Sequence, residues 1–371
     1  MILRRTKNIL FTLLAVFSLA FAASAQTPTP TPTDDGDGVE NVFIEEVKLN
    51  ISAFDENGKF FAGVTADDLV IMENGRLHQA TSVRRIPANV LIVLDTGGEM
   101  RRAKRIDQTR DTAKNLVNAL HKEDSVAIIQ YNDKVEIIAE WTENKAEIFN
   151  ILNKRLNFGK RSLFYNAVES ATEFLQKTPL ENRHLVLITD GTDSFNKTDQ
   201  RAVMIRNLLA SNISVHVISY TQLEQKELAP DKGAFRKGNP NPNRAPEEVI
   251  NTMPNGVRDM MRAPRLGSII TDREFLRKIK ERENALTGGE ELLSTIAGDT
   301  NGQFILPETK EEMTEKPELI ARMIDSSYVV TYTPKNPLKD APKGEVREVV
   351  VTSKRAGLDI FARRKISSGI R

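Results

Sequence analysis

Three stretches of the chain are apolar without interruption: Val90-Leu91-Ile92-Val93-Leu94, Val126-Ala127-Ile128-Ile129 and Leu185-Val186-Leu187-Ile188. Residues 213–219 read as a fourth strand of the same kind, although Ser214 and His216 interrupt its apolar positions. A strand covered on one face alternates polar and apolar positions, whereas runs like these mark strands buried on both faces of a parallel sheet. Helical patterns separate them. Ile106, Ala113, Leu116, Val117 and Leu120 fall on one face before the second run, and Leu163, Phe164, Ala167, Val168, Ala171 and Leu175 do so before the third. Strand–helix alternation of this kind predicts an α/β domain over residues 88–306, a Rossmann-like, doubly wound, mostly parallel sheet.

The flanks read differently. Residues 41–87 carry short alternating runs and the turn Asn74-Gly75 between 68–73 and 78–84, which predicts a hairpin with a primed turn. After a helical segment over 307–326, interrupted or restarted at Pro317, residues 327–366 return to β pattern in the runs YVVTYT and EVVVT. The two flanks are expected to form one small antiparallel β-domain. Residues 223–288 stand out as an insertion. Its 223–268 part includes the loop Asn239-Pro240-Asn241-Pro242-Asn243, and 269–286 is dense in charge and reads as a solvated, weakly docked helix. Trp141-Thr142 is expected to pack at a helix start, and Arg363-Arg364-Lys365 to be a strand end and exposed tail.

Composition narrows the chemistry. The 371 residues carry 52 Lys+Arg against 51 Asp+Glu, and a balance this close argues against nucleic acid as a partner. Cysteine is absent, which removes disulfides, thiol nucleophiles and cysteine-held metals. The four histidines (His78, His121, His184, His216) are too far apart for a local zinc pair, and His184 and His216 adjoin or lie within buried strands as satisfied rings. Residues 1–25 combine Arg4, Arg5 and Lys7 with an apolar run over 9–22 and Ala23-Ser24-Ala25, the pattern of a cleaved secretory signal. The run is shorter than the roughly 20 residues of a membrane span, so no stable anchor is expected after cleavage. Residues 26–40 follow as a Thr/Pro-rich, then acidic linker. Export without cysteine suits a bacterial envelope, periplasmic or extracellular.

The candidate chemistry lies at the carboxyl ends of the apolar runs, where open α/β sheets bind ligands. The first ends in Asp95-Thr96-Gly97-Gly98-Glu99-Met100 and the third in Thr189-Asp190-Gly191-Thr192-Asp193-Ser194, with Gly159-Lys160-Arg161-Ser162 between them. In these residues the chain resembles the von Willebrand factor A family, and within it the secreted bacterial, acidobacterial-type branch with an A-domain between β segments. The resemblance implies a metal-ion-dependent adhesion site, built in the family from Asp-x-Ser-x-Ser, a Thr on a second loop and an Asp on a third. Asp95 matches the first aspartate, Ser162 stands at the threonine position, and Asp190 is the third-loop acid. The two serine positions are Gly97 and Glu99, and here the chain departs from the family.

Mg²⁺ needs six oxygens in near-octahedral array, so losing a hydroxyl and gaining a carboxylate changes what the loop can hold. Three readings stay open. Glu99 coordinates Mg²⁺ (or Mn²⁺ or Ca²⁺) with Asp95, Ser162 and Asp190; or no metal binds, and Arg101, Arg102 or Lys160 neutralises the acids; or a weakened site keeps water in place of the lost hydroxyl. Asp193 is either a further acid of the site or a surface aspartate after a turn. The expected protein is exported and non-enzymatic, and binds another protein, or acts as a scaffold, through a face made by 95–102, 159–163 and 190–194, with Arg101, Arg102, Lys160, Arg161 and Asp193 at the contact. A metal-independent structural or assembly component of the envelope is the alternative. An acidic-site metal-dependent hydrolase is more remote, because no nucleophile elbow, phosphate loop or neighbouring histidine accompanies the acids.

Overall fold

The computed structural model describes residues 45–98, 104–177, 179–195, 197–228 and 273–368. The expected leader and linker, and residues 229–272 of the insertion, lie outside them. The described chain enters through β1 (Val47–Phe54), β2 (Leu69–Glu73), β3 (Arg76–His78) and β4 (Ala80–Arg84). The α/β part follows: β5 (Asn89–Asp95), α1 (Lys104–Ala119), β6 (Ser125–Tyr131), β7 (Val135–Thr142), α2 (Lys145–Lys154), α3 (Phe164–Lys177), β8 (Arg183–Thr189), α4 (Thr198–Leu209), β9 (Ile213–Ser219), α5 (Thr221–Leu228), α6 (Arg273–Asp299) and β10 (Phe304–Ile305). Helices α7 (Lys310–Glu315) and α8 (Pro317–Asp325) lead to β11 (Ser327–Tyr332), β12 (Val346–Ser353), β13 (Asp359–Phe361) and β14 (Arg363–Ser367).

The central sheet runs β10-β9-β8-β5-β6-β7, parallel except for the antiparallel edge strand β7. Successive residues of β5 feed opposite faces. Val90, Ile92 and Leu94 pack with α1, α2, α7 and α8, while Leu91 and Val93 pack with α3, α4 and α6. Both faces are therefore covered, which is why β5 is apolar at every position from 90 to 94. Asn144 starts α2 by accepting hydrogen bonds from the Ala146 and Glu147 amides. Pro317 is the first residue of α8, where its missing N–H costs nothing, so the expected helix over 307–326 is two.

The two flanks do form one antiparallel β-domain, and the packing corrects finer expectations. The flanking β-domain holds two antiparallel four-stranded sheets, β13-β1-β11-β4 and β14-β12-β2-β3, closed over one apolar core that includes Ile51, Ile71, Val330 and Val351. Both ends of the chain contribute two strands to each sheet, alternating in the first and joined through the β12–β2 pair in the second. The Asn74-Gly75 turn has positive φ at both residues, as a primed turn needs, but the return segment divides at Gln79 and β4 joins the opposite sheet. Trp141 lies in β7 and stacks on Phe174 of α3 with ring centroids 5.5 Å apart, rather than packing at a helix start. The helix expected to end at 286 runs on: from Arg273 it is the single 27-residue helix α6, ending at Asp299. Arg364 is no exposed tail: it is buried in β14 and donates to the carbonyls of Ile213 and Ser211, and burial pushes its pKa down to about 10.

The sandwich packs under the amino ends of the central strands. Asn50 of β1 donates to the Arg183 carbonyl (3.0 Å), Asn301 donates to the Asn50 carbonyl (2.7 Å), and Ser327 donates to the Asn182 side chain (3.1 Å). The carboxyl ends point the other way. Among the described residues no helix is long and apolar enough to cross a membrane.

Candidate functional site

Strand β5 lies between β8 and β6, and the chain crosses from one side of β5 to the other between β6 and β8, so the crevice at the ends of β5 and β8 is the switch point of the sheet. Three of the four expected site acids and hydroxyls meet there. Asp95 ends β5, buried, and its Oδ2 accepts from Thr189 Oγ1 at 3.2 Å and lies 3.5 Å from Ser162 Oγ. Its Oδ1 accepts from the Gly97 amide at 3.0 Å. Tyr131 donates in turn to Thr189 Oγ1 at 2.6 Å, and its phenol is held protonated, far above its usual range, by burial and by the charges of Asp95 and Asp190. Ser162 Oγ also donates to the Thr192 carbonyl at 3.1 Å. Glu99, Arg101 and Arg102 lie outside the described residues.

Asp190 is fully buried one residue past β8, and both its oxygens are engaged. Oδ1 accepts from the Thr192 amide (2.9 Å) and hydroxyl (2.8 Å). Oδ2 is 2.6 Å from Nη2 of Arg282, which reaches in from α6. Nη1 of the same guanidinium donates to Thr192 Oγ1 at 2.9 Å, while Nη2 and Nε donate to Oε1 of buried Glu224 on α5 at 2.7 and 2.9 Å. One arginine thus joins the β8 loop, α5 and α6. Thr221 adds a second tie between those helices by donating to Glu290 at 2.6 Å.

Arg282 and Glu224 both fall in the segment read as an insertion, and Arg282 as part of a solvated face. A signal was present. Leu286, Gly289 and Leu293 are buried on α6, and stepping back one turn from Leu286 on the same face reaches Arg282. Gly289 allows the approach: a Cβ there would run into the Asp190 carbonyl and stand 3.2 Å from the Gly191 carbon. Gly191 reciprocates at φ +71°, where a side chain would meet Leu293 at 2.7 Å.

The divalent ion implied by the resemblance can be tested against these donors. Both Asp190 oxygens already accept hydrogen bonds, and a guanidinium already supplies positive charge beside that carboxylate. Gly97 cannot be replaced by a hydroxyl-bearing residue in place, because the Arg161 carbonyl stands where its Cβ would be. Among the described residues no group of three or more His, Cys, Asp or Glu is arranged to hold a metal. As arranged, the described residues do not fit the ion.

Around this floor the crevice opens as a cleft of about 420 Å³, lined among others by Gly98, Thr192, Phe195 and Ala285. Lys160 and Arg161 sit at its mouth, both exposed, on a loop whose backbone amides at 160 and 161 donate to the Asp133 carboxylate (3.0 Å each). Those bonds, with the Arg161 and Lys160 charges, hold the Asp133 pKa below the usual carboxylate range. Asp193 is half-buried and accepts from the Tyr165 amide at the start of α3 (3.2 Å) and from the Phe195 amide (2.8 Å), so it steadies the favourable end of a helix dipole.

Residues 90–192 match the family model of the von Willebrand factor type A domain, and the sheet order and switch-point site described above give this domain the corresponding α/β fold. The match ends before Glu224 and Arg282. Similar solved structures include the conserved hypothetical protein BatB from Bacteroides thetaiotaomicron, at 21% identity over 36% of this chain and 66% of that one, with a TM-score of 0.30. A von Willebrand factor type A protein from Catenulispora acidiphila matches at 11% identity over 87% and 73% of the two chains, TM-score 0.42. An aerotolerance-related membrane protein from Bacteroides fragilis matches at 19% identity over 64% and 98%, TM-score 0.38. This chain spans just under two thirds of the BatB structure's length. No curated protein matches it.

Proposed function

We propose that the chain is an exported, non-enzymatic protein-binding or scaffold module of the secreted bacterial branch, with a degenerate adhesion site that works without a divalent ion. The contact between Arg282 and Asp190 carries the reading. In the family the third-loop aspartate helps to hold an ion. Here the same carboxylate is paired at 2.6 Å with a guanidinium that the chain supplies itself. A positive charge tethered by α6 is always present at full occupancy, so recognition at this crevice needs no ion from solution. The non-enzymatic reading is supported by the cleft lining, which contains no histidine among the described residues, and by the engagement of Asp95, Asp190 and Glu224 in hydrogen bonds. The leader over residues 1–25 supports export.

The test is the melting temperature of the purified protein after EDTA treatment, with and without millimolar Mg²⁺, Mn²⁺ or Ca²⁺. A ligand at 100 times its dissociation constant stabilises by about 2.7 kcal/mol and would raise the midpoint by several degrees. No specific shift is expected with any of the three. A shift that disappears in Asp190→Asn would overturn the metal-free reading.

A further inference from the structure

The mouth of the cleft sorts its charges by depth. The buried acids Asp95, Asp190 and Glu224 face inward, each with hydrogen-bond donors on its oxygens. The outer rim carries cations: Lys160, Arg161 and Lys197, all exposed. Between them stands Phe195, 49% exposed, with the Arg161 guanidinium 5.5 Å from its ring centroid and the Lys197 ammonium 5.8 Å from it. Phe158, 54% exposed, stands two residues before Lys160 on the same loop. Among the described residues, Asp133 and Asp193 stand beside this rim, and both carboxylates accept backbone amides of the loops they steady.

The half of the Phe195 ring that stays exposed beside two cations keeps its apolar area wet, which a partner covering it would relieve. The arrangement suits a partner that covers the ring and brings negative charge. Covering Phe195 removes its area from water, and a carboxylate beside it gains charge-assisted hydrogen bonds from Arg161 and Lys160. The loop bearing those side chains is held in place. Its Gly159 amide donates to the Thr96 carbonyl (3.2 Å), Asn132 donates to the Asn157 carbonyl (3.2 Å), and Asp133 binds the next two amides. A prearranged loop reduces the ordering cost of binding.

We propose that the partner segment recognised at this rim is an acidic peptide with an apolar residue next to its carboxylates, the apolar group covering Phe195 and the carboxylates meeting Lys160 and Arg161. The inference rests on the metal-free reading of the cleft and names the ligand chemistry for it.

The experiment titrates the purified protein into fluorescein-labelled twelve-residue peptides and reads anisotropy. One peptide interleaves Glu and Asp with Leu and Phe, a second replaces the apolar residues by Gly and Ser, and a third replaces the acids by Lys. The first should bind saturably, the second more weakly by about threefold or more, and the third not at all. Lys160→Glu/Arg161→Glu should weaken the first by tenfold or more, and Phe195→Ala by about threefold to tenfold. Raising the salt should weaken binding as Debye screening sets in. These side chains are exposed, and unchanged melting temperatures will show that the variants are folded. Absence of saturable binding, equal binding of the lysine peptide, or indifference to the charge-reversal pair would overturn the proposal. Repeating the titration in EDTA separates the two readings. Binding that keeps its dependence on Lys160 and Arg161 but is lost in EDTA would overturn the metal-free reading while leaving the acidic-peptide preference in place.

Discussion

The backbone carbonyl of Arg161 stands where the Cβ of any residue replacing Gly97 would have to be, with the Arg161 carbonyl carbon 2.8 Å and the Asn132 Cα 3.2 Å from the same point. The loop after β5 is thereby pressed against the loop before α3, and glycine at position 97 is a packing requirement of this fold. Returning the serine should not recreate an ion site. Gly97→Ser is expected to lower stability by about 1–3 kcal/mol, because backbone atoms on both sides must separate. Thermal denaturation would show the loss, and adding Mg²⁺ should not reverse it. An unchanged midpoint would mean that the loops have room this structure does not show.

Arg282 bridges two buried carboxylates on separate elements, and its removal takes this guanidinium from both. Breaking a buried pair by deleting one partner typically costs about 3–5 kcal/mol; the arginine side chain is 22% exposed, which places the expected loss for Arg282→Met toward the lower end. Neutralising the acids should cost less in the Met background than in the wild type. In a cycle of Arg282→Met with Asp190→Asn, a coupling of about 1–3 kcal/mol is expected by chemical denaturation. Additive losses would show that the guanidinium and the carboxylate act independently.

Acid should loosen the seam beneath the central sheet. His216 Nδ1 accepts from the Gln303 amide (3.2 Å), so its proton is on Nε2, which faces His184 Nδ1 at 3.0 Å. His184 then donates from Nε2 to Asn182 at 2.9 Å. Both rings are buried and neutral in this chain of bonds, and protonating either breaks a link. Burial lowers the His216 pKa to about 4, and burial together with the His216 ring lowers that of His184 well below its usual value. Because the folded values lie below the unfolded value of about 6.5, the unfolded chain binds more protons in the interval. Stability is full above about pH 6.5 and falls as the pH drops toward 4, by about 3 kcal/mol from His216 alone. Midpoints measured between pH 7 and 4 should fall more steeply for the wild type than for His184→Gln/His216→Gln. Parallel curves would remove the histidine pair as the cause.

The central sheet was legible along the chain because its code is local. Each residue from Val90 to Leu94 is buried whichever face it takes, so an uninterrupted apolar run suffices to announce it. Edge strand β7 is marked more weakly for the complementary reason. Its residues are half-exposed at Val135 and Glu136 and exposed at Ile137, and only Ile138 and Ala139 are buried. Ile138 interrupts the alternation of Val135, Ile137, Ala139 and Trp141 with polar positions. The flanking strands were recognisable one by one, but their partners were not. Residues 327–332 and 346–353 look alike as β runs, yet β11 pairs with β1 and β12 with β2, in opposite sheets. Pairing depends on which faces meet across the sandwich core, which the period of a single strand does not encode.

The site divides in the same way. Asp95, Ser162 and Asp190 follow directly from where apolar strands end, because a parallel α/β sheet must bring the carboxyl ends of neighbouring strands together. Their local order could be read from the chain. Arg282 could not be placed that way. It is 92 residues from Asp190 in a helix crowded with charge, where an arginine on the buried face looks the same as one in solvent. Its role follows only from the docking of α6, which needs Gly289 to clear the Asp190 carbonyl and Leu286 and Leu293 to be buried on the domain. Local pattern determines which strands and helices form and which ends carry acids. The charge that meets those acids is decided by long-range packing, because one buried carboxylate can be paired from any element that reaches it.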